Sequence, residues 1–233
     1  MKNEQFTNAV KDLEEYLGSE YQKEFCGAKK FVEEWTSKSP KTPDEMKKCY
    51  IDSSAYMYDL AQWHISPSRK AISTLFKRTI LENNIKGVMD IGCGICSDAI
   101  TYAKAGIDVS VTDLPTKYFE FGKWRINKYG LTDAITVVDY DNMLEHKVEC
   151  VTLMDTLEHI PDVFDFINNL SGITDKIIEK NAFNCHNEID WADDEFPCHT
   201  NIKRKDVHDH IRSLGYKQAF QISVYAPVLW VPQ

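Results

Sequence analysis

Two kinds of hydrophobic spacing divide this chain. Up to about residue 80, apolar positions recur every three or four residues, the spacing of helices with one buried face. In "TNAVKDLEEYLGSEYQKEFCGAKKFVEEW" (7–35), Val10, Leu13, Tyr16 and Leu17 make such a stripe. "SKSPKTPDEM" (37–46) reads as a turn, with Thr42 or Asp44 capping the next helix. "SPSRKAISTLFKRTILENN" (66–84) opens with Ser66 and Pro67 as cap and first helical position, and sets Ile72, Leu75, Phe76 and Ile80 on one face. From Gly87 the pattern changes to short apolar runs alternating with amphipathic stretches. "VMDIG" (88–92), "DVSVTDLP" (108–115), "AITVVDYD" (134–141), "VECVTLMD" (148–155) and "DKIIEKNAF" (175–183) read as strands. Between and after them, "SDAITYAKAG" (97–106, capped by Ser97), "TKYFEFGKWRINKYG" (116–130), "PDVFDFINNLSG" (161–172) and "KRKDVHDHIRSLG" (203–215) read as helices. "YKQAFQI" (216–222) and "APVLWV" (226–231) predict a closing pair of strands. Strands alternating with helices mean βαβ units, a mostly parallel sheet with helices on both faces, and a ligand at the carboxyl ends of the strands.

Composition narrows the class. At 233 residues and 43% hydrophobic content the chain can build a real core, divided here into a helical region over 1–80 and an α/β core over 81–233. No apolar run approaches the roughly 20 residues of a membrane span, and "MKNEQFTNAV" lacks the apolar stretch of a secretory signal, so a cytoplasmic protein with no membrane partner is expected. Seven cysteines, an odd number without framework spacing, predict reduced thiols. A formal charge of −9 argues against a broad nucleic-acid footprint and favours a small-molecule partner.

The chemistry concentrates in "MDIGCGICSDAITYAKAG" (89–106), which contains both a C-x-x-C pair (Cys93, Cys96) and G-x-G (Gly92, Gly94). A structural zinc needs about four ligands, and the second C-x-x-C is missing. The other cysteine–histidine neighbours are Cys185–His186 and Cys198–His199, and adjacent residues do not readily chelate one ion. No metal site is therefore expected, and Cys93 and Cys96 are expected to fill tight space. A dinucleotide loop asks for G-x-G-x-x-G, and Ser97 stands at the third glycine. Asp90, two residues ahead of Gly92, would repel a pyrophosphate but attract an ammonium or sulfonium. Asp113, 21 residues after Gly92, sits where a carboxylate takes ribose hydroxyls. Ribose plus cation without pyrophosphate points to S-adenosylmethionine.

These residues, with "DVSVTDLP", "ITVVDYDNM" and "VECVTLMDTLEHIPD", resemble the class I S-adenosylmethionine-dependent methyltransferases over roughly 70–233. "DIGCG" is similar to their first motif, with Cys96 where a last glycine often stands, and "MDTLEHI" is similar to the D/E-x-L-E-H-I of the small-molecule branch that includes ubiquinone-biosynthesis O-methyltransferases. The resemblance implies a Rossmann-like, seven-stranded, mostly parallel sheet whose last strand is antiparallel. It implies that Asp90, Gly92 and Gly94 approach the methionine end of the cofactor and that Asp113 takes the ribose. It further implies that Leu114 packs on the adenine and that Asp139, or its rival Asp141, meets the adenine amino group.

Asp155, Glu158 and His159 follow the fourth strand, where acceptor should meet methyl group, and Asp155 is expected to touch the cofactor as well. His159 is the first candidate for general base; Glu158 and His159 equally read as shaping the turn before the next helix, and the three together offer a rival ligand set for a divalent ion. Absence of N/D-P-P-Y/F after this strand disfavours methylation of nucleic-acid bases or glutamine. Specificity is expected from two additions. One is the N-terminal helical lid, where Tyr50, Tyr56, Tyr58, Trp63 and His64 either line the cofactor mouth or pack between helices. The other is 181–200, with His186, Trp191, Phe196, His199 and four acids, among them Glu188 and Asp190. The expected activity is methyl transfer to oxygen or nitrogen of a small molecule. The alternatives are a methyltransferase for RNA or protein, a non-catalytic S-adenosylmethionine-binding module, and, more distantly, a nucleotide-dependent oxidoreductase. Oligomeric state is not readable from the sequence.

Overall fold

A computed structural model describes residues 7–183, 198–200, 202–221 and 226–233. Seven strands form a single sheet: β1 (Gly87–Ile91), β2 (Asp108–Thr112), β3 (Ile135–Val137), β4 (Cys150–Met154), β5 (Ile177–Lys180), β6 (Tyr216–Phe220) and β7 (Val228–Pro232). Their order is β3-β2-β1-β4-β5-β7-β6, with β3 through β5 parallel and β7 antiparallel to both neighbours. The expected seven-stranded, mostly parallel sheet with an antiparallel last strand is what forms. The chain reverses direction of travel across the sheet between β1 and β4, which is the switch point where open α/β sheets bind ligands.

Helices α1 (Ala9–Leu17), α2 (Gly27–Lys38), α3 (Pro43–Asp52), α4 (Ala55–His64) and α5 (Pro67–Glu82) precede the sheet, and α6 (Ser97–Ala103), α7 (Lys117–Lys128), α8 (Val163–Leu170) and α9 (Arg204–Ser213) connect its strands. Local signals explain several boundaries. Thr42 and Glu45 form a reciprocal capping box on α3, and the Ser66 hydroxyl accepts from Arg69 N at the start of α5, with Pro67 next. The helical spacing over 7–35 is divided between two helices: the first ends at Gly18, whose φ of 54° is left-handed, and the second begins at Gly27. Two expectations change. Ser97 does not cap α6: Cys96 takes the cap position at φ 57°, and the Ser97 hydroxyl instead accepts from Arg125. The run after Val137 leaves the sheet for a 3₁₀ turn over Tyr140–Glu145.

Two apolar cores flank the sheet. One joins Leu13, Met57 and Ala61 of the helical region to Phe76, Val109 and Phe121, so α1, α4 and α5 share a core with the sheet. The other collects Met89, Val151, Leu153, Ile167 and Trp230 on the opposite face. A third, smaller cluster joins Phe31, Trp35 and Tyr50 to Cys198, and Leu114 at the end of β2 packs against it. Among the described residues no helix is long and apolar enough to cross a membrane.

Candidate active site

The loop after β1 is shaped by backbone that only small or unstrained residues allow. Gly92 and Gly94 lie at φ 69° and 56°, and a Cβ on Gly92 would stand 2.6 Å from Thr156 Cγ2. On Gly94 it would meet Leu60 Cδ1 of α4 at 3.3 Å, so the helical region lies directly over this loop. Cys93 and Cys96 are buried, their sulfurs 3.7 Å apart as free thiols, and Cys96 Sγ lies against Gly122 of α7. They pack, as the sequence reading expected.

Two acids flank the loop. Asp90 is 4% exposed and accepts from Thr152 Oγ1 across the β1–β4 pair at 2.9 Å. Burial, with the nearby Asp98 adding to it, pushes its carboxyl up to about 7. Asp113 accepts from Gly94 N and Leu114 N, both at 2.7 Å, and from Tyr118 OH at 3.3 Å, and burial carries it up to about 6 against these donors. Asp113 thus braces the glycine loop. Leu114 turns toward the Phe31–Trp35 cluster, while Asp139 and Asp141 are exposed beyond the end of β3.

The loop after β4 is held from β5. Asn181 Oδ1 accepts from Thr156 N and Leu157 N at 2.9 Å each, and Ala182 N donates to Glu158 Oε1 at 2.8 Å. Asp155 sits at φ 52°, a strained position for a non-glycine residue and the kind that gathers at functional sites. Its Oδ2 lies 3.8 Å from Arg69 Nε and its Oδ1 4.0 Å from Lys180 Nζ. Arg69 meanwhile grips Asp98 with both terminal nitrogens, at 3.2 and 2.5 Å, and Ser73 also donates to Asp98. Glu158 is 1% exposed; burial, then the charge of Asp155, pushes it up to about 8, and its Oε2 is buried without a hydrogen-bond partner among the described residues. His159 turns away from both acids. Its Nδ1 is 2.8 Å from Tyr50 OH, its ring is edge-on to His199 at 4.8 Å, and burial followed by the His199 charge holds it down to about 3.

The structure therefore brings together only part of the expected set. Tyr56 belongs to the site region, its ring 5.2 Å from Tyr118 and 5.3 Å from Tyr50. Trp63 is 40% exposed on the outer side of α4, and His64 lies with the Arg69–Asp98 pair. The rival ligand trio does not assemble: Asp155 faces Arg69 and Lys180, and Glu158 faces Ala182. The grouping of potential metal ligands found among the described residues is instead His159, Cys198 and His199. Cys198 and His199 both belong to it because the turn at 198–199 brings the two neighbouring side chains to one place. His186, Glu188, Asp190, Trp191, Asp193, Asp194 and Phe196 lie outside the described residues. Arg69, Ser73 and Asp98 were not singled out from sequence. The one available signal was an arginine and an aspartate within otherwise core-facing helices.

Searches against known proteins bear on the fold and family. No protein-family model matches the chain. Over 97 residues, 38% of the chain, it is 29% identical to a ubiquinone biosynthesis O-methyltransferase of Actinobacillus pleuropneumoniae, covering 41% of that protein. It is 33% identical over 97 residues to the ubiquinone biosynthesis O-methyltransferase of Haemophilus ducreyi, covering 40% of it. The matches thus span about two fifths of the length of these curated relatives. Among solved structures, magnesium protoporphyrin IX methyltransferase from Synechocystis with bound SAH superposes with a TM-score of 0.62 at 17% identity, over 82% of this chain and 100% of that one. An S-adenosylmethionine-dependent methyltransferase from Clostridium acetobutylicum gives 0.58 at 13% identity, over 76% and 97%. At these identities the likeness is one of fold.

Proposed function

Given the Rossmann-like class I methyltransferase fold, we propose that the chain is an S-adenosylmethionine-dependent methyltransferase acting on oxygen or nitrogen of a small molecule. The observation that carries this reading is the pair Asp90 and Asp113. Two buried carboxylates flank a glycine loop at the switch point of the sheet, and the donors that reach them are neutral. A cationic ligand with a ribose offers them the positive charge and hydroxyls that they lack, whereas a pyrophosphate would add a like charge. The glycine at 92 fits the same purpose, since a side chain there would collide with Thr156. When bound, the cofactor supplies a methyl group made electrophilic by a sulfonium.

The chain's own residues then do four things. Asp90 and the loop hold the amino-acid end, and Asp113 holds the sugar. Asp139, exposed past β3, is the proposed partner of the adenine amino group, with Asp141 in the following turn as its rival. Helices α3 and α4 exclude water, with Leu60 and Tyr56 covering the floor formed by the loop and Tyr118. Glu158 is the proposed acceptor of the substrate proton, because Ala182 N fixes one of its oxygens while the other has no partner among the described residues. His159 is less suited to that task than its sequence position suggests, since its Nδ1 is engaged by Tyr50. Asp155, held near Arg69, keeps the loop in its strained shape.

The test is acceptor-dependent formation of S-adenosylhomocysteine. Phenols, catechols and primary amines are offered singly against bulk tRNA and a denatured protein mixture. Turnover with at least one small acceptor and none with the macromolecules is expected. Turnover confined to tRNA or protein would overturn the small-molecule assignment.

A further inference from the structure

One cluster of nucleophilic and metal-binding side chains has no part in cofactor binding. His159 comes from the loop after β4, Cys198 and His199 from the segment ahead of α9, and one ligand atom from each lies within 4.8 Å of the others. The two stretches are zipped together by backbone. Thr200 N donates to Glu158 O at 2.7 Å and Thr200 Oγ1 donates to the same carbonyl at 3.0 Å, next to His159 on one strand of chain and His199 on the other. Cys198 is 4% exposed and packs in the cluster with Phe31, Trp35 and Tyr50.

We propose that His159, Cys198 and His199 form a binding site for one divalent metal ion of the zinc class. A thiol and two imidazoles are the donors such ions select, whereas magnesium and calcium take oxygen ligands. Three protein ligands with a fourth position left open is an arrangement that zinc sites use. Ligand bonds of about 2.0–2.3 Å to a tetrahedral ion place the donor atoms roughly 3.3–3.7 Å apart. The observed spread of up to 4.8 Å is about an ångström wider than that. With Nε2 on the ion, His159 Nδ1–H would donate to the Tyr50 hydroxyl oxygen 2.8 Å away, the kind of outer partner that orients a ligating imidazole. The ion would therefore fasten three parts of the chain that are distant in sequence: the lid through Tyr50, the loop after β4, and the segment that leads into α9.

The site stands on this geometry alone and survives or fails independently of methyl transfer. The probe is Co²⁺ added to untagged, chelator-stripped full-length protein, followed by absorption spectroscopy and by displacement with Zn²⁺. One equivalent of Co²⁺ giving tetrahedral ligand-field bands and a thiolate-to-metal charge-transfer band is expected. Cys198→Ser should abolish the charge-transfer band, and His199→Ala should weaken binding at least tenfold. Cys93→Ala/Cys96→Ala and Cys185→Ser should both leave the spectrum unchanged. Each variant's metal-free melting curve is compared with the wild type, so that loss of binding is read on folded protein. Absence of the bands in the wild type overturns the proposal whatever the variants do. So does a charge-transfer band that persists in Cys198→Ser or disappears in either of the other cysteine variants.

Discussion

The buried carboxylate of Asp12 and the buried pair Asp90 and Asp113 are treated in opposite ways. Asp12 of α1 is 3% exposed and meets cations: Arg125 Nε at 3.0 Å, Lys128 Nζ at 2.8 Å, with Tyr129 OH also donating at 2.9 Å. Burial works against its ionisation, but Lys128, Arg125 and Tyr129 outweigh it and hold the carboxyl below its ordinary value. Asp90 and Asp113 are as deeply buried, yet their hydrogen-bond donors are a hydroxyl, two amides and a phenol, and both are pushed up, to about 7 and about 6. A carboxylate that serves the fold is given its counter-ion by the fold. One proposed to meet a cationic ligand is left without a hydrogen-bonded counter-ion, at a cost in stability.

Removing the paired acid should have the largest effect. Asp12→Ala leaves Arg125, which is fully buried, facing no carboxylate at that position, and should cost about 3–5 kcal/mol in urea or thermal unfolding. Its remaining folded fraction should bind S-adenosylmethionine within about threefold of wild type. An unchanged melting temperature would erase the distinction between the two groups. Asp90→Ala should do the reverse, lowering affinity for S-adenosylmethionine by at least about 100-fold, or roughly 2.7 kcal/mol. The near-isosteric Asp90→Asn should match or exceed wild-type stability at pH 8, because it removes a buried charge whose one hydrogen-bond donor is a neutral hydroxyl and whose burial outweighs the attraction of Arg69.

Acidity separates the groups next. Asp90 and Asp113 have folded values above the unfolded ones, so their contribution to stability is full below about pH 4 and lost as pH rises through about 6 to 7. Asp12, with a lowered value, contributes above its unfolded value and loses that contribution only as pH falls below about 4. Ligand-free protein should therefore gain stability on going from pH 8 to pH 5, while affinity for S-adenosylmethionine falls by up to about tenfold per unit below pH 6. Affinity independent of pH across this range would show that neither carboxylate meets a cation. The smallest effect should come from the conspicuous cysteines. Cys93→Ala/Cys96→Gly should keep cofactor affinity within about twofold, since Cys96 sits at φ 57°, where glycine is at ease.

What the sequence made legible was local. The apolar face of α5, the Ser66–Pro67 start, the alternation after Gly87 and the closing pair of strands follow from short-range periodicity and caps, and the antiparallel direction of the last strand follows from the resemblance. The glycine loop was legible because its glycines and Asp90 are neighbours in sequence. Charge partnership was not, because it joins residues far apart: Arg69 to Asp98 over 29 positions and Arg125 to Asp12 over 113. The same distance hid the turn of His159 toward Cys198 and His199, which draws a neighbouring cysteine and histidine to one place. Ser97 looked like a cap by type, but Arg125 claimed its hydroxyl and left the cap position to Cys96.

The most direct measurement is calorimetric titration of the wild-type protein at pH 7.5 with S-adenosylmethionine and, separately, with NAD. The expected result is saturable binding of S-adenosylmethionine at one site per chain, lost in Asp90→Ala, and no binding of NAD. Binding of NAD, or no heat with S-adenosylmethionine from folded protein, would contradict the assignment of Asp90 and Asp113 to a cationic nucleoside.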